Sequence, residues 1–324
     1  MEIKLIQKSK TTDITGAVAK AEWSGAMLSA GRTLSFDYLN APLDKTLVIP
    51  KIASGDCVSL LEDGTELFFG QILGVSRSSE IGTLAFTAYD IMKNVLGSEG
   101  RYNFKNMTPE AIARQVLRDL QIPIGDLAAT GINIKSLIVK GKSYYDIIMA
   151  AYTKAHKING KCYQAEIKDR KFCVTDITSL TVSGFSLSDE VNLTSASIEE
   201  SIDDMANRVR IYDKTGKQIG EVKTDSSIDL YGVYQKVYEK EDGVNPTTGA
   251  KALMKATPKQ TITVKAIGST KCISGRKVKV EDKSTGLSAS YWITSDKHTW
   301  ETGVQTMELD LQYDKLMDEK DSDS

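Results

Sequence analysis

Histidine is the side chain most often used for acid–base chemistry near neutral pH, and this sequence contains only two. His156 lies near the end of a predicted helix, where an imidazole more often caps the helix than catalyses a reaction. His298 lies in residues 295–300, which we predict to be a loop between the last strands. There it is expected to hydrogen-bond the backbone, and the alternative is a contact between subunits.

The other reactive side chains do not follow a catalytic or cofactor spacing. The sequence contains no HExxH, no Cys/His zinc array, no GxSxG, and no Walker or Rossmann glycine pattern. We therefore predict no catalytic residue, no cofactor and no metal. Carboxylates cluster at Glu199, Glu200, Asp203 and Asp204, and a glycosidase needs only two at the right separation. Because the chain has only three tryptophans for a sugar cleft, this cluster is interpreted as solvated.

The four cysteines do not form a CxxC pair. They are Cys57, Cys162, Cys173 and Cys272. We expect reduced thiols that serve as small apolar side chains in strands. The alternative is a disulfide between Cys162 and Cys173, which flank one predicted hairpin.

Composition narrows the class of partner. Lys and Arg number 41 and Asp and Glu number 43, so the net charge is near zero and a dedicated nucleic-acid binder is disfavoured. No apolar run reaches the roughly 18 residues of a membrane helix, and the start does not match a secretory signal. We expect a protein made in the cytoplasm and soluble there, with no membrane partner and no sequence-specific nucleic acid.

The order of predicted elements indicates a mainly β fold with a small α/β insert. Residues 1–98 alternate as short strands, as in 32–39, and predict a first β-barrel domain. Residues 99–180 carry two capped helices and a hairpin, which predict an α/β domain. Residues 181–313 return to strands and predict a second β-barrel domain, and 314–324 predict a disordered acidic tail.

Two stretches of the chain resemble each other weakly. Residues 55–90 and 275–310 both follow the pattern strand, turn, strand, loop, strand. Gly55 matches Gly275, Leu73 resembles Ile293, and after a shift of one residue Gly82 matches Gly303. A true duplication would give two related barrels flanking the α/β insert, whereas chance similarity of two meanders is the alternative.

Several motifs, taken in order, resemble the XkdQ-like tail proteins, the hubs of PBSX-type defective phages. The motifs lie at residues 23–25, 32–38, 86–90, 201–209, 275–278, 285–287, 295–300 and 306–309. The most specific are the C-terminal ones, from Gly275-Arg276-Lys277-Val278 to Thr306-Met307-Glu308-Leu309. The resemblance covers nearly the whole chain.

The resemblance implies a structural baseplate hub of a contractile phage tail or R-type bacteriocin. Such a hub has two tube-like β-barrels per subunit and forms a homotrimer, so that six barrels make a pseudo-sixfold ring. The ring would be a symmetry adapter between the hexameric tail tube protein and the trimeric spike protein, with baseplate wedge and tape-measure proteins as further partners. It would be assembled in the host cytoplasm and located in the virion or bacteriocin particle.

The alternatives are a tail-associated cell-wall hydrolase and a receptor-binding tail protein. Subunit or tube contacts are expected in two predicted loops, residues 240–250 and 294–303, which are polar with embedded apolar side chains. The candidate contact residues are Val244, Asn245, His298 and Trp300. The alternative is that both segments are solvated loops.

Overall fold

The structure is a computed structural model that describes residues 1–8, 10–41, 43–44, 46, 49–240, 245–314 and 316–321. It is mainly β with few helices, which confirms the predicted fold class. Compactness divides it into two units, one formed by residues 1–196 with 263–324 and the other by residues 197–262. The domain boundaries placed after residues 98 and 180 remain predictions.

The N-terminal part forms seven strands of one sheet. They are β1 (Glu2–Gln7), β2 (Lys10–Asp13), β3 (Val18–Ala26), β4 (Ser29–Asn40), β5 (Cys57–Glu62), β6 (Thr65–Ile72) and β7 (Gly82–Tyr89), with a short 3-10 turn at Thr15–Ala17. Their order in the sheet is β3-β4-β7-β6-β5-β1-β2. Leu34, Phe36 and Tyr38 alternate into the core as predicted, beside Leu60 and Phe86. Strands β1 and β3 to β7 thus contribute side chains to one core.

The next part packs helices against short strands. Its elements are α1 (Met92–Gly97), β8 (Glu99–Met107), α2 (Pro109–Asp119), β9 (Ile124–Leu127), β10 (Ile134–Ser143), α3 (Tyr144–Asn159), β11 (Tyr163–Lys168) and β12 (Lys171–Asp176). The predicted N-caps are confirmed, since the Thr108 hydroxyl accepts from the Ala111 N–H and the Ser143 hydroxyl accepts from the Asp146 N–H. These local signals satisfy backbone donors that a helix leaves without a partner.

The C-terminal segment differs from the prediction of a disordered tail over 314–324. Met317 is buried in the core of the α/β part. The Tyr145 hydroxyl donates to the Asp318 carboxylate at 2.7 Å, and the Lys320 N–H donates to the Thr153 hydroxyl at 3.0 Å. Residues 316–321 therefore pack on α3, because one buried methionine and two hydrogen bonds outweigh an acidic composition. Residues 322–324 lie outside the described residues.

Two strands lead from the α/β part to the second unit. These are β13 (Thr181–Ser188) and β14 (Leu193–Ser201). The carboxylates of the predicted acidic cluster, two on β14 and two in the following turn, are exposed. Their interpretation as solvated side chains is confirmed.

The second unit is a small α/β body. Its elements are β15 (Arg208–Tyr212), β16 (Gln218–Lys223), α4 (Asp225–Tyr231), β17 (Gln235–Glu239) and α5 (Pro246–Ala252). β15 pairs antiparallel with β16 and parallel with β17, and Val209, Ile211, Tyr238 and Ala250 form the core. α4 departs from the prediction that residues 181–313 return to strands.

The last four strands belong to the same sheet as the N-terminal strands. They are β18 (Lys259–Ile267), β19 (Lys277–Asp282), β20 (Leu287–Glu301) and β21 (Val304–Gln312). β21 lies between β18 and β20, β14 pairs with β18, and β20 pairs with β19, which also pairs with β13. Because β20 pairs with β3 as well, the two half-sheets form one continuous sheet of 13 strands.

The two half-sheets have the same strand order. In the first the order is β1-β5-β6-β7-β4-β3, and in the second it is β13-β19-β20-β21-β18-β14. The two half-sheets differ in direction at one end, where β1 is antiparallel to β5 and β13 is parallel to β19. The weak similarity between residues 55–90 and 275–310 therefore falls on β5-β6-β7 and β19-β20-β21, which occupy equivalent positions.

A pair of backbone hydrogen bonds sets the alignment of the two halves. The Gly55 N–H donates to the Ile72 carbonyl at 2.8 Å, and the Gly275 N–H donates to the Ile293 carbonyl at 2.9 Å. The Ile72 and Ile293 N–H groups return bonds to the carbonyls after the two glycines. Both glycines have positive φ, 92° and 85°, which favours glycine at this turn. Ile293 is thus equivalent to Ile72, one residue from the Leu73 match made on sequence.

Candidate functional site

The two half-sheets meet where β3 runs antiparallel to the outer half of β20. Seven consecutive residue pairs join them, from Ala26 opposite Ser295 to Lys20 opposite Glu301. We call this the internal junction. The prediction of a loop over 294–303 is wrong, because β20 continues to Glu301 and only residues 302–303 turn. Buried Asp296, His298 and Trp300 alternate with polar residues that are less buried. Because two of the buried residues are polar as well, the stretch lacks the apolar alternation that predicts a strand.

A buried ion pair crosses the internal junction. The Arg32 guanidinium of β4 donates to both carboxylate oxygens of Asp296 on β20, with one of the two distances 3.0 Å. The Ser274 N–H donates to the same carboxylate at 2.7 Å. Burial opposes the charge of Asp296, but the Arg32 charge and the hydrogen bonds prevail and lower the pKa of Asp296 to about 2. The carboxylate is therefore ionised at neutral pH, and it links the two half-sheets through a bidentate pair.

The Arg32 side chain lies between an aromatic ring and a glycine. Its guanidinium carbon is 3.8 Å from the centre of the Trp23 ring, close enough for a cation–π interaction. A Cβ added at Gly25 would lie 2.5 Å from an Arg32 guanidinium nitrogen. Glycine at position 25 thus leaves room for the arginine, which gives a physical reason for the Trp-Ser-Gly motif at 23–25.

His298 is a structural member of the internal junction. Its side chain is fully buried, its Nε2 is 3.0 Å from the Cys272 carbonyl oxygen and 3.4 Å from the Asp296 carboxylate. Since a carbonyl only accepts, Nε2 carries the proton and donates it. The ring lies 5.4 Å from that of Trp23 and 6.4 Å from that of Trp300. The expectation that His298 hydrogen-bonds the backbone is confirmed, although in a strand rather than a loop.

A second buried carboxylate accepts a hydrogen bond from the backbone of the same arginine. Asp90, directly after β7, accepts from the Arg32 N–H at 2.8 Å and from the Met92 N–H at 3.0 Å. Burial raises the pKa of Asp90 to about 6, even though both hydrogen bonds favour its charged form. Asp90 thereby ties β4 to the first turn of α1.

The candidate contact residues have different environments. His298 and Trp300 are buried within the chain, at 0% and 8% exposure, so their side chains belong to the internal junction rather than to a free loop surface. Asn245 is the N-cap of α5 and accepts from the Thr247 and Thr248 N–H groups. Asn245 followed by Pro246 is a helix-start signal, so a helix begins within the predicted loop over 240–250. Val244 lies outside the described residues. Contacts of any of these residues with a partner remain predictions.

The other candidates for chemistry have structural roles. His156 lies in the last turn of α3, where its Nδ1 donates to the Lys161 carbonyl at 2.7 Å, as expected for a residue at a helix end. All four cysteines are free thiols, which excludes the alternative disulfide between Cys162 and Cys173. Among the residues described, no three His, Cys, Asp or Glu side chains are grouped to hold a metal ion.

None of the helices within the described ranges has the length and apolar character needed to span a membrane.

The sequence does not predict that distant motifs come together. In the structure, the motifs at residues 23–25, 32–38, 86–90 and 295–300 contribute to one connected cluster, formed by Trp23, Arg32, Asp90, Asp296 and His298. The sequence does contain opposite charges at Arg32 and Asp296, but these residues are more than 260 positions apart. Sequence order offers no measure of such long-range proximity.

Comparison with solved structures shows that the fold is a known one. The fold resembles that of the 43 kDa tail protein of prophage MuSo2 from Shewanella oneidensis, with a TM-score of 0.75 over 96% of this chain and 98% of that one. Their sequences are 13% identical, so this likeness concerns the fold. The fold is therefore that of a prophage tail protein.

Sequence comparison then shows the family. The YQBQ-like family model matches residues 21–312, and the chain belongs to this family. It is 31% identical over 272 residues to the uncharacterized protein YqbQ of Bacillus subtilis, covering 80% of this chain and 82% of YqbQ. It is 27% identical to the phage-like element PBSX protein XkdQ of the same organism, covering 98% of this chain and 99% of XkdQ. The chain is an XkdQ-like phage tail protein, as its motifs predicted.

Proposed function

We propose that this protein is the structural baseplate hub of a contractile phage tail or an R-type bacteriocin. Three copies form a ring in which six half-sheets are arranged with pseudo-sixfold symmetry. One side of the ring docks the hexameric tail tube protein, and the other accepts a trimeric spike protein. Wedge and tape-measure proteins are further partners, and the particle assembles in the host cytoplasm.

One observation carries the proposal. A single chain contains two half-sheets of the same strand order, joined edge to edge through β3 and β20. A symmetry adapter between sixfold and threefold partners needs two similar modules per subunit, because three subunits then present six. The family membership supports a role in a phage tail.

The buried cluster at the internal junction supports the same role. An adapter must keep its two modules in a defined orientation, and a bidentate Arg–Asp pair fixes direction as well as distance. Removing either partner would leave a buried charge without its counterpart, and this would lower the stability of the folded chain. The junction therefore favours one relative arrangement of the two half-sheets.

The mass of the purified full chain in solution tests the proposal. Light scattering after size-exclusion chromatography should give three times the chain mass of 35.5 kDa. A monomer at all concentrations, also after mixing with tube and spike proteins, would overturn the ring. The proposed role has no turnover, so the protein should leave a peptidoglycan gel uncleared, and a cleared zone would favour a cell-wall hydrolase instead.

A further inference from the structure

The α/β part carries exposed basic side chains on a two-stranded ribbon. β8 pairs antiparallel with β10, and neither strand pairs with a third strand among the described residues. Phe104, Leu137 and Val139 of the ribbon are buried in the core that α2 and α3 share. The alternate residues of both strands point away from that core, because successive side chains of a strand lie on opposite faces. We call this outward side the outer face of the ribbon.

The outer face has three basic side chains and no carboxylate. Its residues are Arg101, Asn103 and Lys105 on β8 and Ser136, Ile138 and Lys140 on β10, and all of them are exposed. None of the three cations forms an ion pair with a described residue. Lysines on other strands are paired, such as Lys20 with Glu22 at 2.8 Å and Lys265 with Glu308 at 3.3 Å. The positive charge of the outer face is therefore not neutralised within the described part of the chain.

The register places two of these cations directly opposite each other. Arg101 is the partner of Lys140 in the pairing of β8 with β10. Directly opposed residues have Cβ atoms about 4.5–5.5 Å apart, and like charges at that position destabilise the pairing. Replacing either residue would remove this repulsion. A local cost of this kind is expected where the residues serve an interaction with another molecule.

An exposed aliphatic side chain lies in the middle of the charges. Ile138 is opposite Asn103 and is 50% exposed. Arg101 and Lys105 lie two positions to either side of Asn103, so they are the diagonal neighbours of Ile138 across the ribbon, about 7–8 Å away. An apolar centre with a polar rim is the usual arrangement of a protein-binding surface.

We propose that the outer face of the ribbon binds an extended acidic segment of a partner protein. Carboxylates of the segment contact Arg101, Lys105 and Lys140, and an apolar side chain packs on Ile138. Outward residues of one strand repeat about every 6.6–6.8 Å, which equals the spacing of same-face side chains in an extended peptide. The bound carboxylates would offset the repulsion between Arg101 and Lys140. The inference does not depend on the proposed ring.

The same face is less suited to nucleic acid. Proteins that bind single strands combine cations with aromatic side chains on which bases stack, and no outer-face residue is aromatic. The whole chain has a net charge of −2, which provides no general attraction for a phosphate polymer. A peptide, in contrast, can also hydrogen-bond the edge of β8 or β10 that lacks a strand partner, as extended ligands do at sheet edges.

Fluorescence anisotropy with the full-length chain tests the proposal. The probe is a labelled glutamate-rich peptide with a central leucine, and the comparison peptide has glutamine in place of every glutamate. The unmodified protein should bind only the acidic probe, and its affinity should fall steeply with added salt, because salt screens exposed charges. Lys140→Glu should weaken the affinity at least about tenfold, because it places a carboxylate within the binding surface.

The matched control is Lys10→Glu, which makes the same charge change at an exposed residue of another hairpin, formed by β1 and β2. It should leave the affinity for the probe unchanged. Lys140→Glu also replaces a like-charged pair with an oppositely charged one, so its melting temperature should be unchanged or higher while its affinity falls. Ile138→Ser should weaken the affinity about fivefold, because the apolar contact is lost.

Each outcome decides for or against the acidic segment. Weaker binding by Lys140→Glu and Ile138→Ser but not by Lys10→Glu supports it. An unmodified protein that does not bind the probe, or equal affinities of Lys140→Glu and Lys10→Glu, would overturn it. Tighter binding of a single-stranded oligonucleotide of the same charge would make the outer face a nucleic-acid surface instead. Conversion of a trimer to a monomer by Lys140→Glu, seen by light scattering, would make it a contact between copies.

Discussion

At the residue scale, the protein places two buried carboxylates with opposite pKa shifts beside one arginine. Asp296 accepts from the Arg32 guanidinium, and its pKa falls to about 2. Asp90 accepts only backbone N–H groups, and burial raises its pKa to about 6. The difference arises because a guanidinium contact compensates the loss of water around a carboxylate more fully than peptide dipoles do.

Replacing Asp296 with asparagine should lower the free energy of unfolding at pH 7 by about 3 kcal/mol, because Arg32 then stays buried without a counter-charge. The folded-state pKa is lowered from 3.8, so the contribution of Asp296 is present above about pH 4 and is lost toward pH 2. Urea unfolding from pH 7 to pH 3 should show the difference from the unmodified protein shrinking. The exposed control Asp203→Asn should change stability by less than about 0.5 kcal/mol.

Replacing Asp90 with asparagine should have the opposite pH dependence. The folded-state pKa is raised from 3.8 to about 6, so folding favours the protonated form and the contribution of Asp90 to stability falls as pH rises through this window. Relative to the unmodified protein, the variant should gain up to about 3 kcal/mol between pH 4 and pH 7. Any loss of stability caused by the asparagine side chain itself is the same at pH 4 and at pH 7, because the amide does not titrate. A flat difference in urea unfolding would contradict the shift.

At the scale of elements, two signals of different range decide the structure. Helices α2 and α3 begin where Thr108 and Ser143 provide N-caps, which is information held within four residues. Strand β20 and the C-terminal segment depend on distant partners instead. β20 extends to Glu301 because β3 and β21 pair with it, and residues 316–321 are ordered by contacts with α3.

The C-terminal segment gives a test of that second kind of order. Met317 is 6% exposed and packs in the core of the α/β part. Met317→Ala should therefore lower the free energy of unfolding by about 2–4 kcal/mol, as for other buried methionines. The control Val304→Ala, at a residue 53% exposed, should have little effect in the same urea titration. If both changes had equally small effects, the C-terminal segment would instead be a disordered tail, as its composition predicts.

At the scale of the whole molecule, the sheet is continuous through the internal junction, and the proposed ring assembles from folded chains. Such an assembly binds the folded chain and not the unfolded chain. Its stability must then depend on protein concentration.

The melting temperature should therefore rise with protein concentration. Calorimetry across a hundredfold range should show a progressive increase for the unmodified protein, because mass action favours the folded trimer. A melting temperature that stays constant over this range would contradict an assembly coupled to folding.

The sequence by itself determined the fold class, the family and the features that depend on neighbouring residues. Alternating Leu34, Phe36 and Tyr38 predicted a strand, and Ser143 with Asp146 predicted a helix start, since both patterns are local. It also contained the weak repeat of residues 55–90 and 275–310, although with one match displaced by a residue.

Only the tertiary structure decided how these parts combine. Arg32 and Asp296 form an ion pair because two half-sheets join at β3 and β20, and no local pattern encodes that pairing. The same junction made a buried strand of the predicted loop at 294–303, since polar side chains are buried when each finds a partner.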